Sequence, residues 1–403
     1  MEKSNRDRPN PKRLKNLSPR NGSMFSGQDS ARKPKVFIKT FGCQMNFLDS
    51  EVVVGILTRE GFELVDSPGK ADVILFNGCS VRQHAEERVW GGLGALKKIK
   101  AKNRNIKIGV LGCIAEAHED EILRRFPQVD FVVGPRRIKE IDIFLDEVIN
   151  KGNRLVVLGQ GSDFLRDESF ALRKNKTSAF VRIMVGCDNF CSYCIVPYLR
   201  GRERSRSSRH VLDEITTLVA KGHEEVILLG QNVNSYGKAL EEVIDFADLL
   251  KQTAKIDGLK RIRFMTSHPK DISTKLIEVI AGEKKIVRHI HLPLQSGSDR
   301  ILRLMNRGYS SGDYLTLVTK LRQAIPGLIL STDVIVGFPQ ETRDDFKKTY
   351  NLVKEIGFDN AFIFKYSPRP PAASVKMKDD VPLSEKEERN QMLLALCHKE
   401  VRK

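Results

Sequence analysis

Short apolar runs alternate along the chain with longer stretches in which apolar residues recur at helical spacing. Apolar runs occur at residues 36–38, 73–76, 108–111 and 131–133, and helical patterns lie at 50–59, 81–98, 117–125 and 137–149. Strands and helices that alternate in this way form parallel sheets through right-handed crossovers. We therefore predict a parallel-sheet α/β domain over residues 36–150.

A second series of alternating elements follows a polar, irregular segment at residues 151–178, which we interpret as a linker. Strands are predicted near 180–185, 225–229, 261–264, 289–293, 329–335 and 360–364. Helices are predicted near 209–221, 240–254, 272–281, 299–305, 312–324 and 342–356. Six β-α units are typical of a partial, open (βα)6 barrel, in which the active site lies at the carboxyl ends of the strands. We predict such a barrel over residues 179–383.

The two ends of the chain differ from these repeats. Residues 1–35 carry ten Lys and Arg against three Asp and Glu. They contain almost no apolar residues and cannot bury enough surface to fold, so we predict a disordered basic tail. Residues 384–403 show a charged amphipathic pattern, and Ser384 and Glu387 have the spacing of a capping box. We predict a helix there.

Charge narrows the class of partner. The 403 residues carry a net charge of +17, from 68 Lys and Arg against 51 Asp and Glu. This excess favours a polyanion such as a nucleic acid, with a merely solubilising charge as the alternative. No apolar run approaches the roughly 20 residues that span a bilayer, and no signal-peptide pattern opens the chain. We therefore expect a cytoplasmic protein that does not bind membranes.

The chain contains seven cysteines, and three of them directly follow predicted strands of the first domain. These three, named here the sheet cysteines, are Cys43, Cys79 and Cys113. Because the carboxyl ends of parallel strands lie at one edge of a sheet, the three thiols are expected to meet there. Three unrelated buried cysteines are the alternative. In a reducing compartment, clustered cysteines are more often metal ligands than disulfides. Cys397 is predicted to be a core residue of the last helix.

Three further cysteines, named here the loop cysteines, are Cys187, Cys191 and Cys194. They have C-x3-C-x2-C spacing on a loop that leaves the first predicted strand of the barrel. Zinc in structural sites takes four ligands, whereas a four-iron cluster held by three thiolates leaves one iron free for another molecule. This spacing at this position is typical of a radical S-adenosylmethionine site.

From about residue 36 to residue 380 the chain resembles the MiaB-type methylthiotransferases, radical S-adenosylmethionine enzymes that modify transfer RNA. The resemblance rests on TFGCQMN (40–46), DSE (49–51), NGCSVR (77–82), GC (112–113), residues 186–206, LGQNVNSY (229–236), HLPLQSGS (291–298) and TDVIVGFP (332–339). The family usually ends in a small RNA-binding barrel, the TRAM domain. This chain stops at Lys403, so we expect that domain to be absent.

The resemblance implies two [4Fe–4S] clusters with different tasks. The loop cysteines would hold the catalytic cluster, whose free iron binds S-adenosylmethionine and whose reduction yields a 5′-deoxyadenosyl radical. The sheet cysteines would hold an auxiliary cluster that carries the sulfur to be inserted. The implied reaction converts N6-isopentenyladenosine at position 37, next to the anticodon, to 2-methylthio-N6-isopentenyladenosine.

Candidate contacts to S-adenosylmethionine follow other strands of the barrel. Gln231 and Asn232 follow the second strand and suit the methionyl end of the cofactor. Gln295 and Ser296 follow the fourth strand and suit the ribose, and Asp333 in the fifth strand suits the adenine. For each of the five residues, a role in shaping its loop is the alternative.

A basic run just past the loop cysteines consists of Arg200, Arg202, Arg204, Arg206 and Arg209. Arginine pairs bidentately with phosphate, so we expect this run to clamp the backbone of the anticodon stem-loop. A solvated start of a helix is the alternative. His268 and Trp90 are assigned turn or core roles.

The expected partners are the anticodon stem-loop of transfer RNA, an external electron donor of the flavodoxin or ferredoxin type, and a sulfur donor. The enzyme is expected to act as a monomer. One alternative is a methylthiotransferase that acts on N6-threonylcarbamoyladenosine in transfer RNA or on an aspartate of a ribosomal protein. The other is a non-catalytic iron–sulfur RNA-binding protein. The TFGCQMN signature favours the isopentenyl substrate.

Overall fold

The computed structural model describes residues 12–13, 32–81, 83–161, 168–238 and 240–400, with side-chain surroundings up to residue 397. The chain divides into two compact units, Met1–Lys174 and Asn175–Lys403. Both are built from parallel strands joined by helices, which confirms the predicted α/β class. In the described part of the chain, no helix has the length and apolarity required to cross a bilayer.

The first unit contains one seven-stranded sheet in which neighbouring strands run parallel, in the order β1-β7-β6-β5-β4-β2-β3. The strands are β1 (Lys12–Arg13), β2 (Lys35–Phe41), β3 (Glu63–Leu64), β4 (Val73–Gly78), β5 (Lys107–Gly112), β6 (Phe131–Val133) and β7 (Leu155–Val157). The helices are α1 (Gln44–Arg59), α2 (Gln83–Lys102), α3 (Cys113–Arg125) and α4 (Ile141–Ile149), with 3-10 turns at Pro68–Lys70 and Ile138–Glu140.

Helices cover both faces of this sheet, which explains why its central strands are apolar throughout. All six residues of β4 are buried. Val73 and Leu75 pack on one face with residues of α1 and α4, and Ile74 and Phe76 pack on the other with residues of α2 and α3. The carboxyl ends of the strands are therefore the place where functional side chains collect.

Three strands of the first unit lie where the sequence analysis predicted none. One of them is β3, which pairs with β2. β7 lies inside the predicted linker and pairs with β6, and β1 lies inside the predicted basic tail and pairs with β7. Runs of two or three residues are too short to show a period, so only their pairing identifies them. Residues 1–11 and 14–31 of the predicted tail and residues 162–167 of the predicted linker lie outside the described residues.

The second unit contains six parallel strands in two three-stranded sheets, in the orders β8-β11-β12 and β13-β14-β15. An isolated parallel bridge pairs Ile262 of β12 with Ile286, three residues before β13. Six parallel strands alternating with helices confirm the predicted partial-barrel class. The six strands are β8 (Ser178–Arg182), β11 (Glu225–Leu229), β12 (Arg261–Phe264), β13 (His289–His291), β14 (Ile329–Val336) and β15 (Asn360–Lys365). A short antiparallel pair, β9 (Met184–Val185) and β10 (Arg204–Ser205), lies beside them.

The helices of the second unit are α5 (Val196–Arg200), α6 (Ser208–Ala220), α7 (Phe246–Ala254), α8 (Thr274–Gly282), α9 (Asp299–Leu304), α10 (Ser311–Ala324), α11 (Arg343–Ile356) and α12 (Leu383–Glu400). Short 3-10 turns lie at Val233–Ser235, Pro269–Asp271 and Ala373–Lys376. N-cap side chains define where several helices begin, as Thr342 does for α11. Helix α12 begins at Leu383, so Ser384 lies in its first turn and is not its N-cap. Cys397 is buried in the apolar core, as predicted.

Candidate functional sites

The sheet cysteines lie at the carboxyl ends of three neighbouring strands. In the sheet, Phe41 of β2 pairs with Gly78 of β4, and Gly78 pairs with Gly112 of β5. Cys79 and Cys113 follow these residues directly, and Cys43 follows two residues after β2. The register therefore places the three cysteines side by side at one edge, as the sequence analysis predicted.

The electrostatics of the sheet cysteines confirm that they are neighbours. A hydrogen bond with Cys43, burial, and the charge of Cys113 together raise the pKa of Cys79 well above its ordinary value. Cys79 and Cys113 are almost completely buried. Thiols in such a place lose their protons to solvent much more readily when a metal binds them than when none is bound.

A buried amide pair holds this edge together behind the cysteines. Asn46, in the first turn of α1, accepts hydrogen bonds from the backbone N–H of Cys43 (3.3 Å) and from its thiol (3.4 Å). Asn46 also donates to Asn77 Oδ1 (3.2 Å), and Asn77 donates back to the carbonyl of Asn46 (2.8 Å) and to Ser50 Oγ (2.9 Å). Both amides are fully buried. Asn46 lies within α1, which begins at Gln44 and therefore earlier than its apolar pattern predicted.

The glycines before Cys43 and Cys113 have positive φ angles, +145° at Gly42 and +88° at Gly112. A Cβ atom at Gly42 would lie 2.5 Å from the Cβ of Cys79, and one at Gly112 would overlap Asn77 Oδ1. Close packing within the protein itself therefore requires these glycines.

Across the described ranges, no three His, Cys, Asp or Glu side chains converge closely enough to bind a single metal ion. A four-iron cluster distributes its thiolate ligands over separate iron atoms, so its ligands do not need to converge on one point. The donor set at both cysteine groups is thiolate, which is the ligand type that such clusters take.

The loop cysteines follow β9 in the second unit. The loop begins at Gly186, which has φ +78° and whose N–H donates to Gln231 Oε1 (2.6 Å). Burial, followed by the nearby charge of Cys191, raises the pKa of Cys187 to about 11 and that of Cys194 to about 12. These thiols, too, lie in a protein environment that disfavours a free thiolate.

The segment after α9 holds the cysteine loop in place. The N–H of Ser192 donates to the carbonyl of Met305 (3.0 Å), and its hydroxyl donates to the carbonyl of Leu304 (2.7 Å). Arg307 donates from Nη1 to Cys191 Sγ (3.3 Å) and to the Tyr193 phenol oxygen (3.3 Å). Arg307 is 5% exposed. The sequence analysis missed this residue, because no local pattern connects it with a cysteine 116 positions earlier.

Three of the five predicted cofactor contacts carry a buried polar atom that has no hydrogen-bond partner among the described residues: Asn232 Oδ1, Gln295 Oε1 and Asp333 Oδ1. The other oxygen of Asp333 contacts His291 Nε2 (3.2 Å), and Asn232 donates to Asp271 (2.8 Å). Buried polar atoms without partners are rare in native structures, so these atoms are candidates to contact a ligand.

The other two predicted contacts have structural partners instead. Gln231 accepts the hydrogen bond from Gly186 and so supports the cysteine loop. Ser296 is fully buried, contacts Thr349 Oγ1 (3.2 Å) and accepts from the N–H of Ser298 (3.2 Å). For these two residues the loop-shaping alternative describes the geometry that we observe.

Within the described ranges, other residues that were not proposed as ligands also carry buried polar atoms without a hydrogen-bond partner, among them Asn234, Ser267 and His268, which follow the second and third strands of the barrel. Nδ1 of His268 accepts a hydrogen bond from the Lys270 N–H (3.3 Å), and its Nε2 has no partner in the part of the chain that the structure describes. Burial, followed by the charge of Arg307, lowers the pKa of His268 to about 2. His268 is therefore neutral and carries its proton on Nε2, where it can donate to a ligand.

The basic run does not act as one surface. Arg206 is 1% exposed, forms an ion pair with Glu214 (2.8 Å) and donates to the carbonyl of Arg182 (2.7 Å). Arg200 is also buried. The prediction of a five-arginine clamp is therefore wrong for these two residues, and the exposed members of the run are Arg202, Arg204 and Arg209. Trp90 stacks on Phe126 with centroids 5.8 Å apart, in the core role predicted for it.

Comparison with known families agrees with this geometry. Residues 35–134 match the model described as "Uncharacterized protein family UPF0004", and residues 181–353 match that of the Radical SAM superfamily. Two proteins named tRNA-2-methylthio-N(6)-dimethylallyladenosine synthase, from Clostridium botulinum (strain Loch Maree / Type A3) and Clostridium novyi (strain NT), are 47% and 48% identical to the chain. The matches cover 90% and 86% of this chain and 81% and 77% of those relatives.

Two solved structures share the fold. One is the radical S-adenosylmethionine methyltransferase TsrM from Kitasatospora setae with cobalamin and a [4Fe-4S] cluster bound, with a TM-score of 0.61, 13% identity, and 83% of this chain and 72% of that chain covered. The other is the cobalamin-dependent S-adenosylmethionine radical enzyme OxsB, with a TM-score of 0.56, 12% identity, and coverage of 91% and 56%. The sequence relatives are far closer and match over most of their length. The chain belongs to the MiaB-type tRNA methylthiotransferase family.

Proposed function

We propose that this chain is a transfer-RNA methylthiotransferase that converts N6-isopentenyladenosine at position 37 to 2-methylthio-N6-isopentenyladenosine. The single observation that carries the proposal is the presence of two separate three-cysteine groups in a member of this family. One group lies at the carboxyl ends of parallel strands, and the other lies on the loop that follows β9. The dimethylallyl group in the name of these relatives is the isopentenyl group of the proposed substrate.

The loop cysteines fit a [4Fe–4S] cluster that binds S-adenosylmethionine. When bound, the cluster and S-adenosylmethionine would together supply a 5′-deoxyadenosyl radical. The protein would bind and orient them. Arg307 offers a buried positive charge for the carboxylate of the methionyl group. Three buried oxygens offer hydrogen-bond acceptors for other groups of S-adenosylmethionine. We assign Asn232 to its amino group, Gln295 to its ribose hydroxyls and Asp333 to the exocyclic amine of its adenine.

The sheet cysteines fit the auxiliary [4Fe–4S] cluster. Their donor set is thiolate only, two of them are almost completely buried, and the Asn46–Asn77 pair fixes the start of α1 behind them. In this proposal, the predicted domain of residues 36–150, whose sheet also includes β1 and β7, is the methylthiotransferase domain with the auxiliary cluster. Residues 179–383 form the radical S-adenosylmethionine domain.

Iron content and cofactor cleavage test the two-cluster arrangement. We expect about eight irons per chain after anaerobic reconstitution, the content of two four-iron clusters. Replacing the loop cysteines by alanine should halve the iron and abolish reductive cleavage of S-adenosylmethionine. Replacing the sheet cysteines should also halve the iron, yet leave cleavage intact and abolish sulfur insertion. Cys397→Ala is the matched control, because this buried cysteine belongs to neither group. Only four irons in the intact protein would contradict the arrangement.

Nucleoside mass spectrometry of transfer RNA, from cells with and without the protein, tests the substrate. Loss of 2-methylthio-N6-isopentenyladenosine is the expected result. Loss of the methylthio form of N6-threonylcarbamoyladenosine, or an unchanged nucleoside profile, would instead favour the alternative substrates.

The partners are proposed from the chemistry. The RNA element bound is the anticodon stem-loop, which carries position 37. Cleavage of S-adenosylmethionine consumes an electron, and a flavodoxin- or ferredoxin-type protein would supply it. Inserted sulfur requires a sulfur donor to restore the auxiliary site. We propose that the enzyme acts as a monomer in the cytoplasm.

A further inference from the structure

A pair of exposed aromatic rings lies beside the loop cysteines. Phe190, the residue before Cys191, is 40% exposed, and Tyr198 on α5 is 41% exposed. Their rings meet edge to face with centroids 6.2 Å apart. Rings that leave this much of their surface in water contribute little to the core and are available to a partner.

The backbone holds Phe190 in a conformation that bulky side chains disfavour. Its φ angle is +44°, in the left-handed region. Asn306 maintains this conformation, because its Nδ2 donates to the carbonyls of Asn189 (3.2 Å) and Phe190 (3.1 Å). Backbone strain that neighbouring residues maintain is concentrated at functional sites. The exposed position of the ring is therefore imposed by the fold.

A guanidinium group completes this surface. The guanidinium carbon of Arg202 lies 5.7 Å from the centroid of the Phe190 ring, and the side chain is 74% exposed. Asp188 orients it by accepting hydrogen bonds from Nε (2.7 Å) and Nη2 (3.2 Å). Arg204, two residues further on, is also exposed. Aromatic surface and positive charge thus occur together, within a chain of net charge +17.

We propose that Phe190, Tyr198 and Arg202 form a stacking platform for an unpaired base of the RNA substrate, next to the adenosine that is modified. This inference rests on the proposed function. A base that must place a ring atom in an active site leaves the base stack of the RNA. The adjacent base then lacks one of its stacking partners. Aromatic rings and arginine planes supply that partner in single-stranded RNA recognition, and positive charge draws in the phosphates.

The test measures the affinity of the iron-reconstituted enzyme for an anticodon stem-loop RNA at several salt concentrations. We expect Phe190→Ala and Tyr198→Ala each to bind about 5- to 150-fold more weakly, the range reported for loss of one base–aromatic stack. The slope of affinity against salt should stay unchanged, because no phosphate contact is lost. Phe190→Tyr, which keeps the ring, should bind like the parent protein. 2-Aminopurine placed beside the target adenosine should lose its fluorescence quenching in the alanine variants.

Ile329→Ala is the control for loss of exposed apolar surface, since Ile329 is 45% exposed at the amino end of β14. If Phe190→Ala loads less iron than the parent, Tyr198→Ala decides the test, because Tyr198 does not adjoin a cysteine. Full affinity and full quenching in the alanine variants would overturn the platform. Slower reduction by a flavodoxin-type protein with unchanged RNA affinity would also overturn it, by identifying a docking surface for the electron donor. A parent protein that does not bind the RNA would overturn the proposed function itself.

Discussion

Nη1 of Arg307 lies 3.3 Å from Sγ of Cys191, and the guanidinium is almost completely buried. A charge in such a place acts through a lower effective dielectric than a surface charge, so its electrostatic effect on neighbouring groups is several-fold stronger. The same guanidinium donates to the Tyr193 phenol and to the carbonyl of Pro293 (3.2 Å). Arg307 therefore places a positive charge against one of the loop cysteines and fixes the geometry of the loop.

Removing this charge should make the cluster at the loop cysteines harder to reduce. We expect Arg307→Met to lower its midpoint potential by tens of millivolts, where 59 mV is a tenfold change in a one-electron equilibrium. It should also weaken binding of S-adenosylmethionine. Arg307→Lys keeps the charge and should recover most of the potential. A redox titration followed by electron paramagnetic resonance measures the effect. An unchanged potential in the Met variant would show that the Arg307 charge does not act on the cluster.

The buried amide pair should control the auxiliary site. Asn77→Ala removes three buried hydrogen bonds: the one that Asn46 donates to Asn77, and the two that Asn77 donates to the carbonyl of Asn46 and to Ser50 Oγ. We expect a loss of about 1–3 kcal/mol in the free energy of unfolding. Iron content should fall from about eight toward four while cleavage of S-adenosylmethionine persists. Asn103→Ala, at an exposed position of the same unit, is the control. Equal iron in both variants would contradict this role for Asn77.

The division of the basic run into buried and exposed members predicts different effects for its arginines. Arg206→Ala removes one side of a buried ion pair with Glu214 and should destabilise the fold by about 3–5 kcal/mol. Arg209 has an 89% exposed side chain, so Arg209→Ala should leave stability unchanged. If Arg209 contacts a phosphate, its replacement should reduce the salt slope of RNA binding by about one. Thermal unfolding and binding at several salt concentrations separate the two arginines.

His268 should make the fold sensitive to mild acid. Its pKa is lowered from 6.5 to about 2 by burial and then by Arg307. Below pH 6.5 His268 therefore binds a proton in the unfolded chain but stays neutral in the folded chain. The stability that neutral His268 contributes is therefore fully present above pH 6.5 and is lost as the pH falls. The loss in the free energy of unfolding approaches about 1.4 kcal/mol per pH unit. His268→Gln should remove this part of the pH dependence between pH 7 and pH 5. Parallel stability curves for the two proteins would contradict the assignment.

The sequence by itself determined the order of most strands and helices and the positions of both cysteine groups relative to strand ends. This was possible because the information is local: apolar period, glycine and cysteine all lie within a few residues of each other. Parallel strands share one carboxyl edge, so the meeting of Cys43, Cys79 and Cys113 followed from topology alone.

Only the tertiary structure decided which polar side chains form hydrogen bonds or ion pairs with other parts of the protein. Gln231 and Ser296 were equal candidates with Asn232 and Gln295 until Gly186 and Thr349 were found to contact the first two. The same holds for the buried Arg206 and for Arg307, which lies against a cysteine 116 positions away. Such contacts join residues far apart in the chain, and no local period records them, because each depends on how the helices pack around the strands.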